Sequence, residues 1–187
     1  MSKIATGASD ETLAVSLAER EKIPRKKYKM IILLDIDGVL VTTPSWKKVE
    51  QLEDGFMKFD EKATECLAEL YEETNASIIL TTTHRITYSI ENWKKIFHKR
   101  GLYFENISKI NEKSKIEELT SRGNEIKEWV EKTGFEKNYV IIDDDLSINS
   151  LEKKIKDRVV FTKQSIGFDR NGKNKAIEIL KNEIKID

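Results

Sequence analysis

The chain has 187 residues, enough for one ordinary domain with a short appendage and cramped for two. At 39% hydrophobic and 35% charged, with eight Gly and two Pro, it falls outside the collagenous, elastic and mostly disordered classes. Thirty-three basic and thirty-three acidic side chains cancel, so the whole molecule lacks the positive field that non-specific nucleic-acid binding needs. The single cysteine, Cys66, excludes an internal disulfide and a Cys-based zinc site.

Residues 1–27 read as an extension ahead of the domain. Over 9–23, Leu13, Ala14, Leu17 and Ala18 fall at helical spacing, and Pro24 with the basic run Arg25, Lys26, Lys27 closes the segment, predicting a short amphipathic helix. Asp10, Glu11, Glu19 and Glu21 distinguish it from a basic targeting peptide. With no apolar leader at the start, and an apolar run at 30–34 far too short for a membrane span, a cytoplasmic location is the expectation. Charge is uneven along the chain: residues 1–29 carry +3 and residues 151–187 carry +4, which leaves −7 in the middle.

From residue 28 onward short apolar runs alternate with helical repeats, the pattern of βαβ units, and this predicts one α/β domain over 28–187. Residues 30–34, 77–80, 139–142 and 159–161 read as buried parallel strands, with a weaker strand over 102–107. Between them lie amphipathic stripes: Ala63, Cys66, Leu67, Leu70 and Tyr71; then Ile86, Ile90, Trp93 and Phe97; then Ile126, Trp129 and Val130; and last Ala176, Ile177 and Leu180. Cys66 reads as a core residue of its stripe.

Three of these strands end in conspicuous polar residues. The first runs into Asp35-Ile36-Asp37-Gly38, the second into Thr81-Thr82-Thr83-His84-Arg85, and a later one into Asp143-Asp144-Asp145. Ligands of open α/β sheets bind beyond the carboxyl ends of the strands, so the three tips can converge on one site. Joined there, Asp35, Asp37, Asp143 and Asp144 bring together more negative charge than can stay ionised without compensation. A hard divalent cation is the economical answer, with Mg²⁺ preferred because it accepts a few carboxylates and keeps positions for water and a phosphate oxygen. Gly38 allows a sharp turn and close approach to a ligand, and the hydroxyls of the second tip offer neutral donors to an anion. The set points to phosphoryl chemistry.

These residues carry a family resemblance. Asp35-Ile-Asp37-Gly-Val-Leu after a buried strand resembles the first motif of haloacid dehalogenase-like (HAD) phosphohydrolases, Thr81 the second, and Asp143-Asp144 the acidic fourth, in the family's order. The resemblance covers roughly residues 28–163 and is nearest to small HAD phosphatase domains of nucleic-acid repair proteins, although His84-Arg85 stands where an aromatic and Arg are common. It implies a Rossmann-like three-layer sandwich with a central, mostly parallel sheet. It also implies Mg²⁺ dependence, with Asp35 as nucleophile, Asp37 as acid/base, and metal held by Asp35, the Asp37 main-chain carbonyl and Asp143 or Asp144. Thr81 and nearby N–H groups would hold the phosphoryl group. The third-motif cation is expected at Arg122, with Lys113 and Lys115 as alternatives. Gly38, Thr82, His84 and Arg85 are expected at the substrate, His84 orienting a phosphate or leaving group or simply serving as a loop histidine.

Other residues read more plainly. Asp145 is expected to cap a following helix in which Leu151 and Ile155 face inward. His98 has no assigned role, and Trp46 is a packing anchor or a stacking surface. Residues 41–59 have room for a flap but not a folded cap, so the site should be open to a nucleic-acid end or a phosphoprotein loop. A small phosphate ester remains a further possibility. The basic groups near 25–29 and 153–158 favour a polynucleotide end, and the neutral total opposes it. The rival readings are a catalytically silent binding module and a phosphotransferase. The sequence leaves oligomeric state open.

Overall fold

A computed structural model of the protein describes residues 30–43, 48–134 and 138–182. The helix expected over 9–23, the basic run at 25–27 and Trp46 lie outside the described residues. No helix among the described residues is long and apolar enough to cross a membrane.

Five strands form one all-parallel sheet: β1 (Ile31–Leu34), β2 (Ser77–Leu80), β3 (Ile107–Lys109), β4 (Tyr139–Asp143) and β5 (Val159–Phe161), in the order β3-β2-β1-β4-β5. Every residue of the central strand β1 is buried, as a strand covered on both faces requires. Alternate residues serve the two faces. Ile32, Leu34, Ile78, Leu80, Val140 and Ile142 pack with α1 (Glu61–Thr74), α2 (Ile90–His98) and α5 (Arg170–Lys181). Ile31, Leu33, Ile79, Tyr139 and Ile141 pack on the other face with α3 (Arg122–Trp129) and α4 (Lys153–Lys156). The result is the expected three-layer α/β/α sandwich.

Helix starts follow local chemistry. The Asp60 carboxylate accepts the Ala63 N–H at 3.0 Å to open α1, and Asn75 in the left-handed region closes it. Along α1, Ala63, Cys66, Leu67 and Leu70 are buried, so Cys66 is a core residue, and burial pushes its thiol pKa up.

Three expectations are corrected. The weak strand lies at Ile107–Lys109 rather than over 102–107: Leu102 and Phe104 are buried, but they reach the core from irregular chain. The stripe from Ile86 to Phe97 is not one helix. A 3₁₀ turn (Thr83–Ile86) ends it early, and α2 starts afresh because the Ser89 hydroxyl accepts the Asn92 N–H. Asp145 does act as a cap, but its carboxylate accepts Ser147 N–H at 2.7 Å to start a 3₁₀ turn (Leu146–Ser150), and α4 is a separate single turn. Leu151 and Ile155 are buried nonetheless.

No folded insert separates β1 from α1 among the described residues. Part of the stretch between them forms a small hairpin, in which Gln51 and Met57 bridge antiparallel. Arg100 fastens this flap to the end of α2. Its guanidinium pairs with both Asp54 oxygens, at 2.7 and 3.1 Å, and donates to the carbonyls of Phe56 (3.0 Å) and Met57 (2.8 and 3.0 Å). That partner holds the Asp54 carboxyl below the usual carboxylate range.

Candidate active site

The register of the sheet explains why three strand tips meet. Leu34 of β1 is level with Leu80 of β2 and Ile142 of β4. The next residue on each strand is Asp35, Thr81 and Asp143, so these three stand side by side. The Asp35 N–H still bonds to Ile142 O (3.1 Å) and the Thr81 N–H to Leu34 O (2.9 Å), which keeps that level fixed. Counting by twos from Ile31, Ile79 and Tyr139 puts all three side chains on the face that α3 covers.

Arg122, the first residue of α3, meets them there. A single nitrogen, Nη1, lies 2.6 Å from Asp143 Oδ2, 3.1 Å from Asp35 Oδ1 and 3.0 Å from Thr81 Oγ1, and the Thr81 hydroxyl donates in turn to Asp143 at 3.4 Å. Among the described residues this is the cation in ion-pair contact with Asp35 and Asp143. Lys113 instead lies 3.7 Å from Glu125, and Lys115 is exposed ahead of a 3₁₀ turn.

Oxygens of Asp35, Asp143 and Asp144 all lie within 4.8 Å of one another. Burial, then the neighbouring Asp143 charge, pushes the Asp35 pKa up to about 7, against the pull of Arg122. Burial likewise raises Asp143 and Asp144. Burial works against the Arg122 charge too, but Asp35 and Asp143 outweigh it and the pKa rises. Three carboxylates facing one guanidinium leave an excess of negative charge, and a divalent cation fits that donor set of oxygens.

Gly38 has φ +69, and a Cβ there would sit 2.1 Å from Asp144 Oδ2. Only glycine lets the turn after Asp35 pass under the Asp144 carboxylate. The turn is laced to β5 as well, since the Thr162 hydroxyl donates to Gly38 O at 2.8 Å.

Asp37 stands apart from the acidic triad. Its carboxylate is half exposed, and Oδ2 is 3.0 Å from His84 Nε2. That hydrogen bond raises the His84 pKa, with partial burial opposing it. Thr82 is fully buried, and its hydroxyl accepts the His84 N–H, so it caps the 3₁₀ turn. Arg85, expected at the substrate, is turned inward instead. It is 0% exposed, donates through Nη1 to the Thr81 and Thr82 carbonyls at 2.8 and 2.9 Å, and reaches Glu125 through Nη2 at 2.6 Å. Burial lowers its pKa although Glu125 counteracts this. Its work is to tie the second strand tip to α3.

Sequence reasoning missed Glu125, although a signal existed: Arg122, Glu125, Ile126 and Trp129 are spaced i, i+3, i+4, i+7, so Glu125 shares the inward stripe. It missed Phe56 and the Arg100–Asp54 fastening, which join residues more than forty positions apart and leave no local pattern.

A family model described as "HAD domain in Swiss Army Knife RNA repair proteins" matches residues 31–172. No curated protein matches the chain.

Proposed function

Starting from the fact that the chain belongs to the family of HAD domains in Swiss Army Knife RNA repair proteins, we propose that it is a Mg²⁺-dependent phosphomonoesterase acting on the phosphorylated end of an RNA. The observation that carries the chemistry is the placing of Asp35, Thr81, Asp143 and Arg122 at one level on one face of the sheet.

Asp35 attacks phosphorus, and the bond from phosphorus to the leaving oxygen breaks as Asp37 gives that oxygen a proton. Asp37 then takes a proton from water. The water oxygen attacks the aspartyl-phosphate, the bond to Asp35 breaks, and inorganic phosphate leaves with the Asp35 carboxylate restored. Arg122 and the Thr81 hydroxyl hold and neutralise the phosphoryl oxygens. Asp35, Asp143 and Asp144, with the main-chain carbonyl of Asp37, would hold Mg²⁺. When bound, the ion offsets the charge of the carboxylates and of the phosphoryl group.

The RNA end is favoured by the family and by the absence of a folded cap among the described residues, since an uncapped cleft admits the end of a polymer. The test is a panel of 3′- and 5′-phosphorylated RNA and DNA oligonucleotides, phosphopeptides and sugar phosphates, with and without Mg²⁺. RNA ends should be hydrolysed fastest, activity should vanish with chelator, and Asp35→Asn should reduce it at least about a thousandfold. Full activity in Asp35→Asn removes the nucleophile assignment, and a preference for sugar phosphates removes the RNA end.

A further inference from the structure

We propose that His84, held in place by the flap, is the positioning residue that fixes the Asp37 carboxyl for proton transfer to the leaving oxygen. This rests on the phosphomonoesterase reading above and adds to it a group with a distinct role.

Asp37 needs such a partner. Its side chain is 49% exposed and lies on a turn beyond the end of β1, outside the contacts that fix Asp35 and Asp143. A carboxylate free to rotate there would spend much of its time misaligned, and misplacement of a reacting group by about 1 Å costs on the order of a hundredfold in rate. The His84 bond engages Oδ2, which leaves Oδ1 to carry the proton.

His84 is itself held from three sides. Its N–H bonds to Thr82 Oγ1 (3.3 Å), and its carbonyl accepts from Thr87 (3.1 Å) and Tyr88 (3.2 Å). Its ring lies edge-to-face with Phe56, with centroids 5.2 Å apart at 78°. Phe56 is 2% exposed and wedged against Tyr88 and Trp93, with its carbonyl bound by Arg100. A line of contacts therefore runs from Arg100 through the flap to Phe56, to His84 and to Asp37. A substrate-binding histidine would not need a carboxylate partner on its Nε2. A loop histidine would not need a buried aromatic beneath it.

The experiment compares two esters in the full chain with Mg²⁺: p-nitrophenyl phosphate, whose leaving group departs without a proton, and an RNA 3′-phosphate or alkyl phosphate, whose leaving alkoxide requires one. His84→Ala should lower kcat/KM, which reports the first transfer step before Asp37 acts on water, at least tenfold on the alkyl-type ester and less than about threefold on the aryl ester. His84→Gln keeps an N–H donor near the same position and should recover most of the lost rate. Asp37→Asn should show the same dependence on leaving group, more strongly. Equal losses of kcat/KM on both esters would assign His84 to substrate binding and overturn the proposal. So would a His84→Gln variant as slow as His84→Ala. If the wild-type chain hydrolyses neither ester, the phosphomonoesterase reading has failed and the His84 role falls with it.

Discussion

Breaking the Arg85–Glu125 pair should be costly out of proportion to its size. Arg85 is fully buried and Glu125 is 3% exposed, and the contact between them is 2.6 Å. In Glu125→Ala, Nη1 keeps two carbonyl acceptors, Nη2 loses its carboxylate, and Nε has no hydrogen-bond partner to begin with. A buried cation is then stranded, at a cost of about 3–5 kcal/mol. Arg85→Met strands a better-supported anion, because Asn111 donates to Glu125 Oε1 at 3.1 Å and Lys113 lies nearby, so its cost should be nearer about 2–3 kcal/mol. In Arg85→Met/Glu125→Ala both charges are gone, so neither is left buried without its partner. The double variant should therefore cost at least about 2 kcal/mol less than the two single losses together. Urea unfolding with a shared m-value measures all three. A loss under about 1 kcal/mol in Glu125→Ala, or simple additivity within about 0.5 kcal/mol, would refute the idea that this pair is a sealed tie between β2 and α3.

The site geometry sets three further outcomes. Because one nitrogen of Arg122 makes all three contacts, a lysine ammonium can stand in for it. Arg122→Lys should keep phosphatase activity within about tenfold and Arg122→Met should lose at least about a hundredfold; equal losses would show that the fork of the guanidinium matters. Gly38→Ala drives a methyl into Asp144 and strains a positive φ, so the variant should fold with a stability loss of about 1–3 kcal/mol and need at least about tenfold more Mg²⁺ for half-maximal activity. An unchanged metal requirement would remove Asp144 from the ligand set. Arg100 holds the Asp54 pKa below the ordinary 3.8, so the advantage of wild type over Asp54→Asn should be present above that value and fade as pH falls through the lower folded one. Urea midpoints of both chains between about pH 6 and pH 3 read it directly, and a gap that stays constant to the lowest pH contradicts the pairing.

The parts of the fold legible in the sequence are those whose signal is local and repeated. Four apolar residues in a row, with Asp35 immediately after them, mark a strand covered on both faces with a polar tip, and the same reading places Thr81 and Asp143 at the ends of theirs. Where burial and hydrogen bonding part company, the pattern misleads: Leu102 and Phe104 are as apolar as strand residues, yet they fill the core without pairing. Polar punctuation outweighs periodicity at Ser89, whose single hydroxyl divides a continuous apolar stripe in two. At the site, residue type suggests that Arg85 and Asp143 face the same ligand. The difference arises from Glu125, whose charge draws Arg85 inward, and only the packing of α3 against the second strand tip brings that carboxylate within reach. The link between His84 and Asp37 joins residues 47 positions apart, and nothing short of three-dimensional packing reveals it.

The shared rung of Leu34, Leu80 and Ile142 has an evolutionary corollary. Deleting or inserting one residue within β1, β2 or β4 would swing that strand's polar tip to the opposite side of the sheet, away from Arg122 and its neighbours. The chemistry therefore tolerates drift in letters but not in length along these strands. Changes in what the cleft admits would instead arise in the connecting segments, where an added residue leaves the rung intact.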